Sequence, residues 1–77
     1  MVTVKVLLDT IEAVKEFVDI VSKFDGEMEL VSGRYVIDAK SIMGIFSVDL
    51  SQPIDLCIHK DREGAEEILE QIKKFLV

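Results

Sequence analysis

The chain has 77 residues, 49% of them hydrophobic, and 15 acidic against 9 basic residues give a net charge of −6. That length permits one small core, with about 60% of the unfolded surface buried, and the acidic balance excludes phosphate neutralisation, so neither nucleic acid nor an anionic membrane surface is an expected partner. A single cysteine, Cys57, and a single histidine, His59, leave no disulfide framework and no zinc cluster, so neither metal nor cofactor is expected.

The opening "MVTVKVLLDT" lacks a basic stretch and a long apolar run, and no later run approaches a membrane span; a cytoplasmic protein without a leader is expected. Val2, Val4 and Val6 alternate with Thr3 and Lys5, the period of a half-buried strand. Asp9 reads as a helix N-cap, with Glu12 completing a capping box. Ile11, Val14, Phe17, Val18, Val21 and Phe24 follow at helical spacing, and Asp25-Gly26 ends that helix in a left-handed cap. "EMELV" and "RYVIDA" form a hairpin around Ser32-Gly33, in which Tyr35 and Ile37 pair with Met28 and Leu30. A turn at Gly33-Arg34 shifts the pairing by two residues and keeps the same faces, so both registers stay open.

Ser41 is the expected N-cap of a short helix. "PIDLCI" is the last strand, with Pro53 at its first position, Ile54, Leu56 and Ile58 inward, and Asp55 and Cys57 outward. Asp61 caps a final helix whose apolar stripe is Ala65, Ile68, Leu69, Ile72, Phe75 and Leu76. The run "DREGAEE" supplies acidic residues to its first turn, where they are favourable. The order β-α-β-β-α-β-α, with one apolar face per strand, predicts an α+β fold. It is a two-layer open-faced β-sandwich: a four-stranded antiparallel sheet covered on one face by three helices. With no repeat, linker or low-complexity tract, residues 1–77 form a single domain in this reading.

No Ser-His-Asp arrangement, glycine-rich phosphate loop or metal-ligand spacing occurs, so an enzyme is not expected. The segment "KSIMGIFSV", Lys40 to Val48, carries the chain's most specific signal. Set between the third and fourth strands of this element order, it resembles HPr, the small phosphocarrier of the bacterial sugar phosphotransferase system. Lys40-Ser41-Ile42-Met43-Gly44 is similar to the strongest family signature outside the phosphorylation loop. The resemblance spans nearly the whole chain, with no gap between Phe17 and Ser41, and implies the strand order 1-4-2-3.

The resemblance also implies a phosphorylatable histidine at the N-terminus of the first helix, followed by Thr, Arg and Pro. Carried over without a gap, the histidine falls on Thr10, the arginine on Glu12 and the proline on Ala13. Thr10, Glu12 and Ala13 therefore read as a degenerate phosphoacceptor loop. A threonine forms no labile phosphoramidate, and Glu12 turns attraction for phosphate into repulsion.

Ser41 has two compatible readings, an N-cap and, by the resemblance, the regulatory serine that HPr kinase phosphorylates. Ile42, Met43 and Phe46 either cover the edge of a small core or, as the family implies, form a partner-docking patch; the docking reading is favoured. His59 reads as a surface residue near the last helix and Cys57 as a thiol without assigned chemistry. The leading expectation is an HPr-like regulatory or adaptor protein that acts by protein-protein interaction through the Ser41 helix. Its partners would be phosphotransferase-system or regulatory proteins. The alternatives are a phosphotransfer participant with its acceptor at Thr10 or His59, and an HPr-fold domain recruited for unrelated binding.

Overall fold

The structure, a computed structural model, describes residues 1–77. Its elements run β1 (Val2–Val6), α1 (Ile11–Val21), β2 (Met28–Ser32), β3 (Tyr35–Asp38), α2 (Ile42–Phe46), β4 (Ile54–Ile58) and α3 (Arg62–Gln71), followed by a 3-10 turn at Lys73–Phe75. The four strands make one antiparallel sheet in the order β1-β4-β2-β3. The open-faced sandwich and the strand order are those expected.

The last strand in sequence lies inside the sheet. Leu56 of β4 stands between Val4 of β1 and Leu30 of β2, and Ile37 of β3 continues that row. Because β4 is flanked on both sides and roofed by helices, Ile54, Leu56 and Ile58 are all buried. The core comprises 17 residues, every one hydrophobic, and holds no buried polar side chain that lacks a partner. At its centre Phe17 meets Phe75 edge-to-face, with ring centroids 5.7 Å apart and an interplanar angle of 84°.

The hairpin turns at Gly33-Arg34, and Ser32 pairs with Tyr35. Gly33 has φ 59°, the left-handed conformation that a side chain penalises. Ile37 therefore stands opposite Leu30, whereas Tyr35 stands opposite Ser32 at the hairpin tip and remains exposed.

Several local expectations are corrected. Asp9 does not cap α1: Thr10 has the extended cap conformation, and its Oγ1 accepts from the Ala13 N–H at 3.0 Å. With the cap at Thr10, Glu12 falls one position short of a capping box and is simply an acidic residue in the first turn. Gly26 takes no left-handed cap, since Gly33 alone has positive φ. Instead α1 stops at Val21, and the chain tightens through Lys23 N–H to Ile20 and Phe24 N–H to Val21. Phe24 thus lies beyond the helix, half-buried. Pro53 immediately precedes β4 instead of opening it.

The final helix also stops early. Ile72 (φ −102°, ψ 12°) breaks it, and the 3-10 turn swings Phe75 into the core. The chain then returns along β1: the Leu7 N–H donates to Phe75 O, the Val77 N–H donates to Lys5 O, and Leu76 bridges Val6. Covering a sheet edge satisfies backbone groups that a longer helix would leave exposed.

Candidate functional site

The candidate residues lie at two helix N-termini: α1 beginning after Thr10, and α2 beginning after Ser41. The elements pack against each other, and α2 also rests on β3. Thr10, Ile11 and Glu12 are all exposed, with Ala13 half-buried. The Thr10 hydroxyl oxygen is engaged as the α1 cap, and the Glu12 carboxylate lies within the first turn, where unpaired N–H groups and the helix dipole favour an anion.

The β3–α2 junction explains the residue types in Lys40-Ser41-Ile42-Met43-Gly44. The Asp38 carboxylate accepts from the Lys40 N–H at 2.9 Å, and the Asp38 carbonyl accepts from the Ser41 N–H at 3.0 Å. Lys40 Nζ donates to the Phe24 carbonyl at 2.7 Å, tying the end of the α1 turn to this junction. Ser41 caps α2 as expected, its Oγ accepting from the Gly44 N–H at 3.3 Å. A Cβ on Gly44 would lie 3.2 Å from that oxygen, so glycine leaves room for the cap hydroxyl, while Ile37 Cβ at 3.7 Å would be in ordinary contact.

One turn and a half of helix turns one apolar residue fully inward. Ile45 is completely buried, and Ile42 is half-buried against the core. Met43 is 77% exposed and Phe46 40% exposed. The three expected docking residues therefore divide: Met43 and Phe46 face solvent, while Ile42 mainly closes the core. Ile11 of α1 is also an exposed apolar side chain, at 59%. Its helical spacing placed it in the buried stripe, but it stands on the edge of that stripe, outside the arc of Val14, Phe17 and Val21.

Ser41→Ala should lower stability by about 0.5–1 kcal/mol, the low end for a cap, because the hydrogen bond is long. Ser41→Asp should stay near the native value. Phe46→Ala should cost about 1–2 kcal/mol, less than a fully buried phenylalanine, because part of the ring is already in water. Thermal melts of the three variants test this, and a collapse of Phe46→Ala would assign Phe46 to the core.

His59 is exposed beyond β4, its Nε2 is 2.7 Å from Glu29 Oε1, and its backbone N–H donates to Glu27 O. Cys57 is half-buried on the open face of the sheet, beside Thr3 Oγ1 at 3.8 Å. Asp49, just after α2, accepts from the Ser51 hydroxyl at 2.6 Å and from the Ser51 N–H at 3.0 Å, which hold its carboxyl below the usual range. No group of three or more His, Cys, Asp or Glu side chains is placed to hold a metal ion, and no helix is long and apolar enough to cross a membrane.

A sequence model described as "PTS HPr component phosphorylation site" matches residues 11–77. A search of the curated proteins found no match. Among solved structures, HPr-C-His from Thermoanaerobacter tengcongensis is 25% identical with a TM-score of 0.75, covering 96% of this chain and 93% of its own. The phosphocarrier protein HPr from Bacillus anthracis str. Ames is 24% identical with a TM-score of 0.73, covering 99% of this chain and 96% of its own, and shares the fold. HPr proteins are phosphocarriers that interact with other phosphotransferase-system proteins and are not themselves catalysts. The match over residues 11–77 and the shared topology together place this chain in the HPr family.

Proposed function

We propose that this single-domain protein is a cytoplasmic regulatory or adaptor member of the HPr family that carries no phosphate at the α1 N-terminus and is not an enzyme. The observation that supports this reading most is the composition of that N-terminus. In the ungapped correspondence with the family Thr10 takes the acceptor position; its oxygen is engaged as a helix cap, and Glu12 follows in the first turn. The acceptor chemistry of the family needs an imidazole and a local cation, and this segment offers a hydroxyl and a carboxylate. This reading assigns recognition to Met43 and Phe46, which are exposed on α2, the helix that packs against α1. Exposed methionine and aromatic side chains are adaptable anchors for a protein partner.

Ser41 is the regulatory position in this reading. Its side chain is exposed at the start of α2, and a phosphate there would meet the free N–H groups of the first turn while adding negative charge beside the docking residues.

The carrier role is tested directly. Incubation with Enzyme I and phosphoenolpyruvate, followed by intact-mass measurement, should show no added phosphate. An acid-labile gain of one phosphate would overturn the proposal.

A further inference from the structure

The turn that closes α1 runs on to Phe24, whose N–H donates to Val21 O at 3.0 Å. The last turn of α1 holds no basic residue, and Lys23, just beyond it, pairs with Asp19. The cation at this carbonyl-rich end comes from another element. Lys40 Nζ, in a half-buried setting, donates to the Phe24 carbonyl at 2.7 Å, where a positive charge is favourable. Lys40 forms no ion pair. The nearby Asp38 carboxylate accepts from its backbone N–H instead, which leaves the ammonium free to reach across to α1.

α2 cannot hold a direction by itself, because five residues of helix are marginal without tertiary support. Ile45 is its one fully buried side chain, and a single buried anchor fixes a point while leaving rotation about it. A second fixed end lies just before the helix. There the backbone is bonded to β3 through Asp38, which accepts from the Lys40 and Ser41 N–H groups, and the Lys40 side chain bridges from that junction to the end of α1.

We infer that Lys40 is the positioning residue of α2. Its ammonium, held on the Phe24 carbonyl, sets the angle at which α2 lies against α1, and so the direction in which Met43 and Phe46 meet solvent. The inference rests on the proposed docking role only for the use made of that face. The position itself is a property of the free chain.

Amide hydrogen exchange and N–H residual dipolar couplings of the full chain test this without any partner. Lys40→Met keeps an unbranched apolar stem and removes the donor. The Ile45, Ser47 and Phe24 amides, bonded to Ser41 O, Gly44 O and Val21 O, should then exchange faster by about tenfold or more, the effect of losing a hydrogen bond to a charged group. The Leu7 and Val14 amides, bonded to Phe75 O and Thr10 O, should keep their native rates. The couplings of Gly44 and Phe46 should fall while those of β4 stay. Lys40→Arg retains a cationic donor and should restore most of both readings. A rise that includes Leu7 equally would reduce Lys40 to a contributor to global stability and overturn the inference, as would native couplings at Gly44 and Phe46 in Lys40→Met. In the native chain the Nζ protons of Lys40 should exchange more slowly than those of exposed Lys15. If circular dichroism shows Lys40→Met unfolded, that comparison decides, and equal rates overturn the inference. Phosphate gain from Enzyme I would sink the docking role and leave these exchange rates as they are, so the two failures are separable.

Discussion

Thr10→His together with Glu12→Arg should accept phosphate from phosphorylated Enzyme I, whereas Thr10→His by itself should remain poor. The single substitution supplies an imidazole but leaves the Glu12 carboxylate in the first turn of α1. There it occupies the anion-favouring field that a phosphoryl group needs. The second substitution replaces a repelling charge by an attracting one at an exposed position, and the initial rates should differ by about tenfold or more. Both variants lose the Thr10 cap bond to the Ala13 N–H, a cost of about 1 kcal/mol, so stability does not separate them. Acid-labile mass gain over time is the measurement. Equal rates for the single and double variants would show that charge at position 12 is not what disables the loop.

Phe17→Ala should unfold the chain or bring it close to unfolding. A domain of this length has about 4–12 kcal/mol of stability in total, and truncating a buried phenylalanine costs about 3–5 kcal/mol. Phe17 is completely buried and meets Phe75 edge-to-face, so its loss also frees the 3-10 turn that returns the chain along β1. Phe17→Leu keeps most of the volume and should stay folded, at a cost nearer 1–1.5 kcal/mol. Urea titrations of both variants check this. A Phe17→Ala midpoint close to the native one would mean that the two aromatic rings do not anchor the core.

The candidate site was partly legible before any coordinates. Ser41 as cap of α2 followed from a hydroxyl placed just before a short apolar run, and the bond to Gly44 bears it out. Which apolar residues of that run face solvent was not legible. In so short a helix, burial depends on where β3 lies beneath it: Ile45 goes inward, Met43 and Phe46 outward, and Ile42 falls between. Thr10 and Asp9 are both good caps, and adjacent candidates compete on φ/ψ, which neighbours in space decide.

The sequence by itself determined the element order, the inward faces of β1, β2 and β4, the Asp61 cap and the HPr resemblance. These rest on residue periodicity and short-range chemistry, which operate within a few positions of chain. Only the tertiary structure decided the hairpin register, because both turns preserve the alternation of faces. It alone ended the last helix at Ile72, because bonding the β1 edge outweighs extending the helix through Leu76. It also left β3 as the uncovered edge, since which strand ends a sheet depends on β4 inserting between β1 and β2. That insertion is a pairing between segments far apart in the chain, and no local pattern encodes it.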